Sequence, residues 1–326
     1  MLKSRLAAAL FCTVSLFCAH FASAEGVFPD RTITLVVPFS PGGGHDFVAR
    51  MIASKLGSEL HQSVIVLNKP GADAMIGAQY VAQSPADGYT VLIGSPAENV
   101  AAPFIYKHMQ YDPETALAPV TLAGESPIAL IANPAAPVST MEELIAYAKK
   151  NPGKLSYATP GIGSSHDLAV RWIEELAGIK LQDIPYKGAS DATVSAVGGQ
   201  TPLASVGMAP VMPLWKDGKV KVIAIMNGKK PDWLPNVATA SQVPELSQVD
   251  IEQWMGVFVP AKTSADRIEK LNAGITAVLK RPDVRAALIA QGVDPVGNST
   301  SDFAKFLANE RVKYATIVKK SKVPMR

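Results

Sequence analysis

The sequence predicts an α/β fold in two lobes, and three observations carry that reading. Short β-branched runs alternate with segments of helical period, the pattern of parallel strands covered by helices. At 326 residues the chain exceeds what one hydrophobic core usually organises. A strand leading through a glycine-rich turn into an amphipathic helix occurs twice, at residues 37–50 and 157–171.

Taken in order, the expected strands are Thr32–Val37, Val64–Leu67, Thr90–Ile93, Ile128–Ala132, Leu155–Ala158, Leu203–Val206, Val220–Met226 and Gly256–Val259. Helical periodicity marks Phe47–Leu56, Met141–Lys150, Asp167–Leu176 and Ala192–Val197. Ser139 or Thr140 can cap the helix that carries Glu142 and Glu143, and Asn151-Pro152-Gly153 ends it. From Ser264 to Lys320 the pattern is helical throughout, with Pro282 suited to a first turn. No flexible linker interrupts the chain, so the lobes should share crossing strands, near Glu125–Asn133 and Val222–Pro231.

The N-terminal residues read as a secretory signal. Lys3 and Arg5 precede an apolar stretch from Leu6 to Phe21, and Ala22-Ser23-Ala24 is a small-residue cleavage site. Removal after Ala24 predicts a periplasmic chain. It also removes Cys12 and Cys18, leaving no thiol for a disulfide, a cysteine zinc site or a cysteine nucleophile. The formal charge is only +3 and falls further without Lys3 and Arg5, so nothing argues for nucleic acid or a membrane surface.

The two glycine-rich segments carry the functional argument. The first runs Val37-Pro38-Phe39-Ser40-Pro41-Gly42-Gly43-Gly44-His45-Asp46 toward Arg50. The second runs Thr159-Pro160-Gly161-Ile162-Gly163-Ser164-Ser165-His166-Asp167 toward Arg171. Glycine lets the backbone approach a ligand closely and adopt positive φ. The helix that follows begins with unpaired N–H groups and partial positive charge, which together favour an anion. Ligands of open α/β sheets sit at the carboxyl ends of strands, where these turns lie. Two such turns facing each other can hold an anion with hydroxyl help from Ser40, Thr159, Ser164 and Ser165. The plainer alternative is a pair of tight turns whose Asp46 and Asp167 only complete helix caps.

The same residues resemble the Bug family, the TctC-like extracytoplasmic receptors of tripartite tricarboxylate transporters. The resemblance spans nearly the whole chain. It includes Val36 to Gly43 with Asp46 and Arg50, Asn68-Lys69-Pro70-Gly71-Ala72, Ile76-Gly77-Ala78, Asp87-Gly88-Tyr89-Thr90 and Tyr111-Asp112-Pro113. It continues through Pro152 to Leu155, Gly161 to Ser164, Pro185-Tyr186-Lys187-Gly188 and Gly198-Gly199-Gln200. The resemblance implies a periplasmic binding protein of type II, the Venus flytrap, each lobe a mostly parallel sheet flanked by helices, with two crossing strands as hinge. Lobe one would be residues 25–123 plus 230–326, and lobe two residues 124–229. It further implies a ligand carboxylate gripped by Phe39, Ser40, Gly43, His45 and Asp46 from the first loop and Gly163, Ser164 and Ser165 from the second. Ser95, Lys187, Ala189 and Ser190 would complete the pocket.

Some positions depart from the family pattern. His45 stands where a Thr or Ser is usual, Asp191 replaces a proline, and Ser195 an aspartate. Ala102-Pro103 replaces a common Asn-Pro, with Glu98 and Asn99 just before it. These changes bear on ligand identity more than on fold.

Enzyme readings are weaker. Ser164 or Ser165 beside His166 suggests a hydrolase, but sequence neighbours at a helix start point to different faces, and no Gly-x-Ser-x-Gly elbow occurs. His45 and His166 can in principle meet across a cleft to bind metal, yet two cap-region histidines that never meet are the simpler expectation. Residues 71–77 lack the Gly-Lys-Ser/Thr ending of a phosphate loop. The sequence therefore predicts a monomeric, non-enzymatic receptor for a small carboxylate, without metal or cofactor. Its partners would be the permease subunits of a tripartite transporter or, alternatively, a sensor kinase.

Overall fold

A computed structural model describes residues 28–186, 188–321, 323 and 325. The expected signal segment 1–24, with Cys12 and Cys18, and Lys187 lie outside the described residues. The chain divides into two units, Met1–Asp30 and Arg31–Arg326, and every element named below belongs to the second.

The first half of this unit runs β1 (Ile33–Val37), α1 (Gly44–Leu60), β2 (Val64–Asn68), α2 (Met75–Ala82), β3 (Thr90–Gly94), α3 (Ala102–Ile105), α4 (Pro113–Ala116) and β4 (Leu117–Ala132). The chain continues through α5 (Met141–Lys150), β5 (Ser156–Thr159), α6 (Ser165–Ala177), β6 (Gln182–Pro185), α7 (Ala189–Val197), β7 (Leu203–Gly207), α8 (Met208–Lys216) and β8 (Lys221–Ile225). It closes with β9 (Glu252–Pro260), α9 (Ala265–Lys280), α10 (Pro282–Ala290), β10 (Asp294–Pro295) and α11 (Thr300–Lys320). No helix of the described residues is long and apolar enough to cross a membrane.

Strand order is β2-β1-β3-β9-β4-β7-β5-β6, with β8 and β10 both pairing β4. Each lobe has a parallel core, β2-β1-β3 in one and β6-β5-β7 in the other. Where the lobes join, every pairing of β4 and β9 is antiparallel, so the sheet is more mixed than the alternation of strands and helices suggests. β4 is the shared element. Leu117–Pro127 pairs with β9, and Ile128–Ala132 pairs with β7 and β8. It is buried along almost its whole length, as expected for a strand covered on both faces.

Only the second part of β4 was expected as a strand. Pro119, Gly124, Glu125 and Pro127 interrupt the apolar pattern of the first part, and the register shifts twice there against β9. β6 is polar and half exposed, so its composition does not reveal it. β10 interrupts the expected run of helices, anchored by Asp294 and Pro295 opposite Glu125 and Gly124. Thr140 caps α5, accepting from the Glu143 N–H at 3.2 Å, while the Ser139 N–H donates to the Glu143 carboxylate at 2.7 Å.

The join is sealed by α11. Trp254 of β9 is fully buried and donates its indole N–H to Glu310 Oε2 at 2.9 Å. Phe303 and Phe306 meet its ring edge-on, with centroids at 6.3 and 5.8 Å. Gly256, two residues on, lets these rings close in. A methyl group there would stand 2.5 Å from Phe303 Cζ and 2.7 Å from Phe258 Cε2.

Carboxylates crowd the same junction. Lys313 pairs with Glu310 at 2.5 Å, and Asn227 donates to Glu252 Oε2 at 2.7 Å. Burial, then Asp294 and Glu310, push Glu125 above the usual carboxylate range. Burial, then Glu125 and Asp250, push Glu252 up to about 8. The folded chain thus holds a proton here that the unfolded chain releases, and stability should decline as pH rises from the ordinary carboxylate range toward about 8.

Two outcomes test this junction. Gly256→Ala should lose about 1–3 kcal/mol in urea denaturation by overpacking the ring cluster. The urea midpoint of the parent should fall from pH 5 to pH 8, and Glu252→Gln should flatten that dependence; a parallel slope in the variant would refute the assignment.

Candidate ligand-binding site

The two glycine turns are built alike. After β1, Gly42 takes φ +86°, a conformation L side chains rarely adopt, and Gly43 becomes the N-cap of α1. After β5, Gly161 and Gly163 have φ +155° and +81°, and Ser164 caps α6, accepting from the Asp167 N–H at 3.3 Å. In both helices histidine is the second residue and aspartate the third.

One carboxylate holds each turn shut. Asp46 accepts from the Gly42 N–H, from Arg50 Nε and from Asn68 Nδ2, all at 2.9 Å. Asp167 accepts from the Gly163 N–H and from Arg171 Nε, both at 2.8 Å, and from the Tyr157 hydroxyl at 2.7 Å. Each arginine then reaches the neighbouring parallel strand, Arg50 to Asn68 of β2 at 3.2 Å and Arg171 to Asp183 of β6 at 3.0 Å. Burial alone would raise Asp46, but the bonds from Arg50, Gly42 and Asn68 outweigh it and hold the carboxyl below its ordinary range. Charge-assisted bonds of this kind are roughly twice as strong as neutral ones, and they fix the turn in place.

The turns are also braced from outside. A methyl at Gly77 of α2 would sit 2.7 Å from Pro38 Cβ and 2.9 Å from the Lys69 carbonyl, so only glycine lets α2 press on the first turn. The second turn rests on the other lobe. Cβ atoms placed on Gly163 and Gly161 would lie 3.0 Å from Ile105 Cδ1 and 3.5 Å from Asp73 Oδ1.

The residues expected at the site divide by what their side chains do. Phe39 lies against the His45 ring, centroids 4.4 Å apart, and Ser40 and Gly43 are exposed. Asp46 spends both carboxylate oxygens within its own turn and with Asn68, which holds the loop in place. Ser164 donates to the Gly161 carbonyl at 2.7 Å. Ser165 is buried and turns its hydroxyl toward Tyr314 of α11. Ser95 is buried as well; its N–H donates to Glu98 Oε1 at 2.5 Å and its hydroxyl to Glu98 Oε2. Burial raises Glu98 to about 7, against the opposing pull of those Ser95 bonds. The segment from Ser95 leads to Ile105, the residue against which Gly163 packs. Ala189 and Ser190 open α7, where the Ala189 carbonyl accepts from Thr193 Oγ1 at 2.7 Å.

His45 and His166 stand within electrostatic range of each other. Burial is the main cause that lowers His45 to about 3, and the second is electrostatic repulsion from His166. The ring nitrogen Nε2 of His45 lies 3.4 Å from Gln253 Nε2, and the Trp254 backbone is close enough to oppose part of the lowering. His166 is lowered to about 4 by burial. Among the described residues no group of three or more His, Cys, Asp or Glu is placed to hold a metal ion. Residues missed on the sequence include Asn68, Tyr157, Asp183 and Gln253. Arg50 and Arg171 were visible, because each follows its aspartate by four positions.

Comparison with known proteins gives this geometry a context. Residues 48–323 match the model of the tripartite tricarboxylate transporter family receptor. The protein BugT of Bordetella pertussis is 31% identical over 319 residues, 96% of this chain and 97% of that one. A Rhodopseudomonas palustris protein solved with adipate superimposes with a TM-score of 0.85 at 29% identity, covering 92% of this chain and 100% of that one. MatC of the same organism, solved with bound malate, gives 0.81 at 28% identity, covering 89% of this chain and 100% of that one. With most of its length matched by the family model and the same two-lobed fold, the chain belongs to the tripartite tricarboxylate transporter receptor family, the periplasmic solute-binding proteins that include the Bug proteins.

Proposed function

We propose that the chain captures a small carboxylate between its two aspartate-clamped glycine turns and presents the closed complex to the permease subunits of a tripartite transporter. The observation that carries this reading is the duplicated clamp. Each lobe fixes a turn at a strand end with the first N–H groups of a helix left for a ligand. The hinge would lie between lobe one, residues 25–123 plus 230–326, and lobe two, residues 124–229. Contacts would come from Phe39, Ser40, Gly43, His45, Gly163, Ser164, Lys187, Ala189 and Ser190. Asp46, Ser95 and Ser165 would support them from behind.

Adipate and malate in the two structural neighbours support a carboxylate here. A ligand shifts the lobes toward closure only by binding that state more tightly, which contacts from both turns provide. A sensor kinase as the docking partner is the second reading. Hydrolysis is disfavoured by Ser164, whose hydroxyl is committed to the Gly161 carbonyl.

Thermal unfolding with a carboxylate panel that includes adipate and malate checks the proposal. A ligand at a hundred times its dissociation constant should add about 2.7 kcal/mol. Asp46→Asn and Asp167→Asn should each weaken binding about tenfold, near 1.4 kcal/mol, because the turn they lock loosens. Affinities equal to the parent in both variants would count against the clamps. Steady turnover of an ester by the parent would replace the receptor reading with an enzymatic one.

A further inference from the structure

We infer that His45 and His166 act as a paired proton acceptor, one from each glycine turn, so that this receptor takes up its carboxylate together with a proton. The inference rests on the carboxylate reading above and deepens it. The preferred ligand class becomes an anion with enough charge to keep an imidazolium buried beside it, a dicarboxylate before a monocarboxylate.

The geometry comes from both lobes. Each histidine occupies the second position of the helix that follows a clamped turn, α1 for His45 and α6 for His166. They are 8% and 9% exposed, so each ring is more than nine-tenths buried. His166 makes no side-chain hydrogen bond among the described residues, and its Nε2 lies 3.9 Å from a Cβ placed on Gly207, the N-cap of α8. With no protein partner among those residues, its ring nitrogens are left for water or an arriving ligand. His45 has Gln253 and the Trp254 backbone beside it, and Phe39 over its face.

The surrounding charges leave the pair to itself. Asp46 is held by Arg50 and Asn68, and Asp167 by Arg171 and Tyr157. In the loop before α2, Asp73 is bonded by the hydroxyl of Tyr106, the residue that follows α3. Glu252 on β9 points to the face opposite Gln253, toward Glu125 and Asp250. In the free protein both rings stay neutral, because burial disfavours their charge and the helix N-termini oppose a cation. An incoming carboxylate reverses that balance. The imidazole accepts a proton from solvent at a ring nitrogen and donates it as a hydrogen bond to the ligand oxygen, with no other bond made or broken. Because the complex then holds more protons than the free protein, affinity must rise as pH falls.

Isothermal titration calorimetry of malate and adipate from pH 8.0 to 6.0, in buffers of different ionisation enthalpy, counts those protons directly. In this range the ligand carboxylates remain largely ionised. The parent should take up a fraction of a proton or more per ligand, and the dissociation constant should tighten by about threefold or more, with tenfold per pH unit as the limit for one proton. His45→Gln and His166→Gln should each reduce the proton count, and the double variant should abolish it. Binding without proton uptake in the parent overturns the inference and leaves carboxylate capture standing. An undiminished count in the double variant, shown folded by circular dichroism, overturns it as well by assigning the proton to the hinge carboxylates. If neither probe binds at either pH, carboxylate capture fails, and the inference fails with it.

Discussion

A single interaction organises both halves of the site, the aspartate at the third position of a helix that reaches back to a glycine N–H in the preceding turn. Asp46 and Asp167 each do this while accepting from an arginine one helical turn further on. A glycine turn is entropically expensive to order. Fixing it with a carboxylate that is itself paired converts a flexible loop into a rigid cradle. Without that bond the unpaired N–H groups of the helix start would have no defined direction, and two lobes would offer a ligand only loose ends.

The clamps are tied into the sheet as well as into the helices. Arg50 and Arg171 both extend to a polar residue on the adjacent parallel strand, Asn68 in one lobe and Asp183 in the other. These polar strand residues read as defects in a hydrophobic pattern, but they transmit the position of the sheet to the turn. The bracing by Gly77 and Ile105 does the same through packing. The lobes themselves are held in register by β4, which exchanges partners midway, and by the aromatic cluster of Trp254, Phe303 and Phe306 beneath α11. Rigid cradles on a shared strand are what a two-lobed receptor requires, since closure then moves whole sites and not individual side chains.

Charge is handled differently in the clamps and at the junction. In the clamps each carboxylate has its arginine. At the junction Glu125, Glu252 and Glu310 share a single nearby lysine, Lys313, and burial favours the protonated forms of the first two. The histidines follow a third pattern, buried and neutral, each at a helix start. Asp46, Arg50, Asp167 and Arg171 thus spend their charges on one another within the turns.

Much of this was legible from residue order alone. Short β-branched runs and helical periodicity locate β1, β3, β5, β7, α5 and α6 to within a few residues, since these strands are buried almost throughout and these helices carry a continuous apolar face. The paired motif locates both turns, because glycines, aspartate and arginine must stand at fixed local spacing to make the clamp. What lies far apart in sequence was decided only by the tertiary structure. Proline and glycine hide the first part of β4, whose strand character comes from β9 on one side. Ser95 looks like a free hydroxyl until packing turns it toward Glu98. The electrostatic influence of His166 on His45 joins residues 121 positions apart, a long-range arrangement that no local spacing encodes.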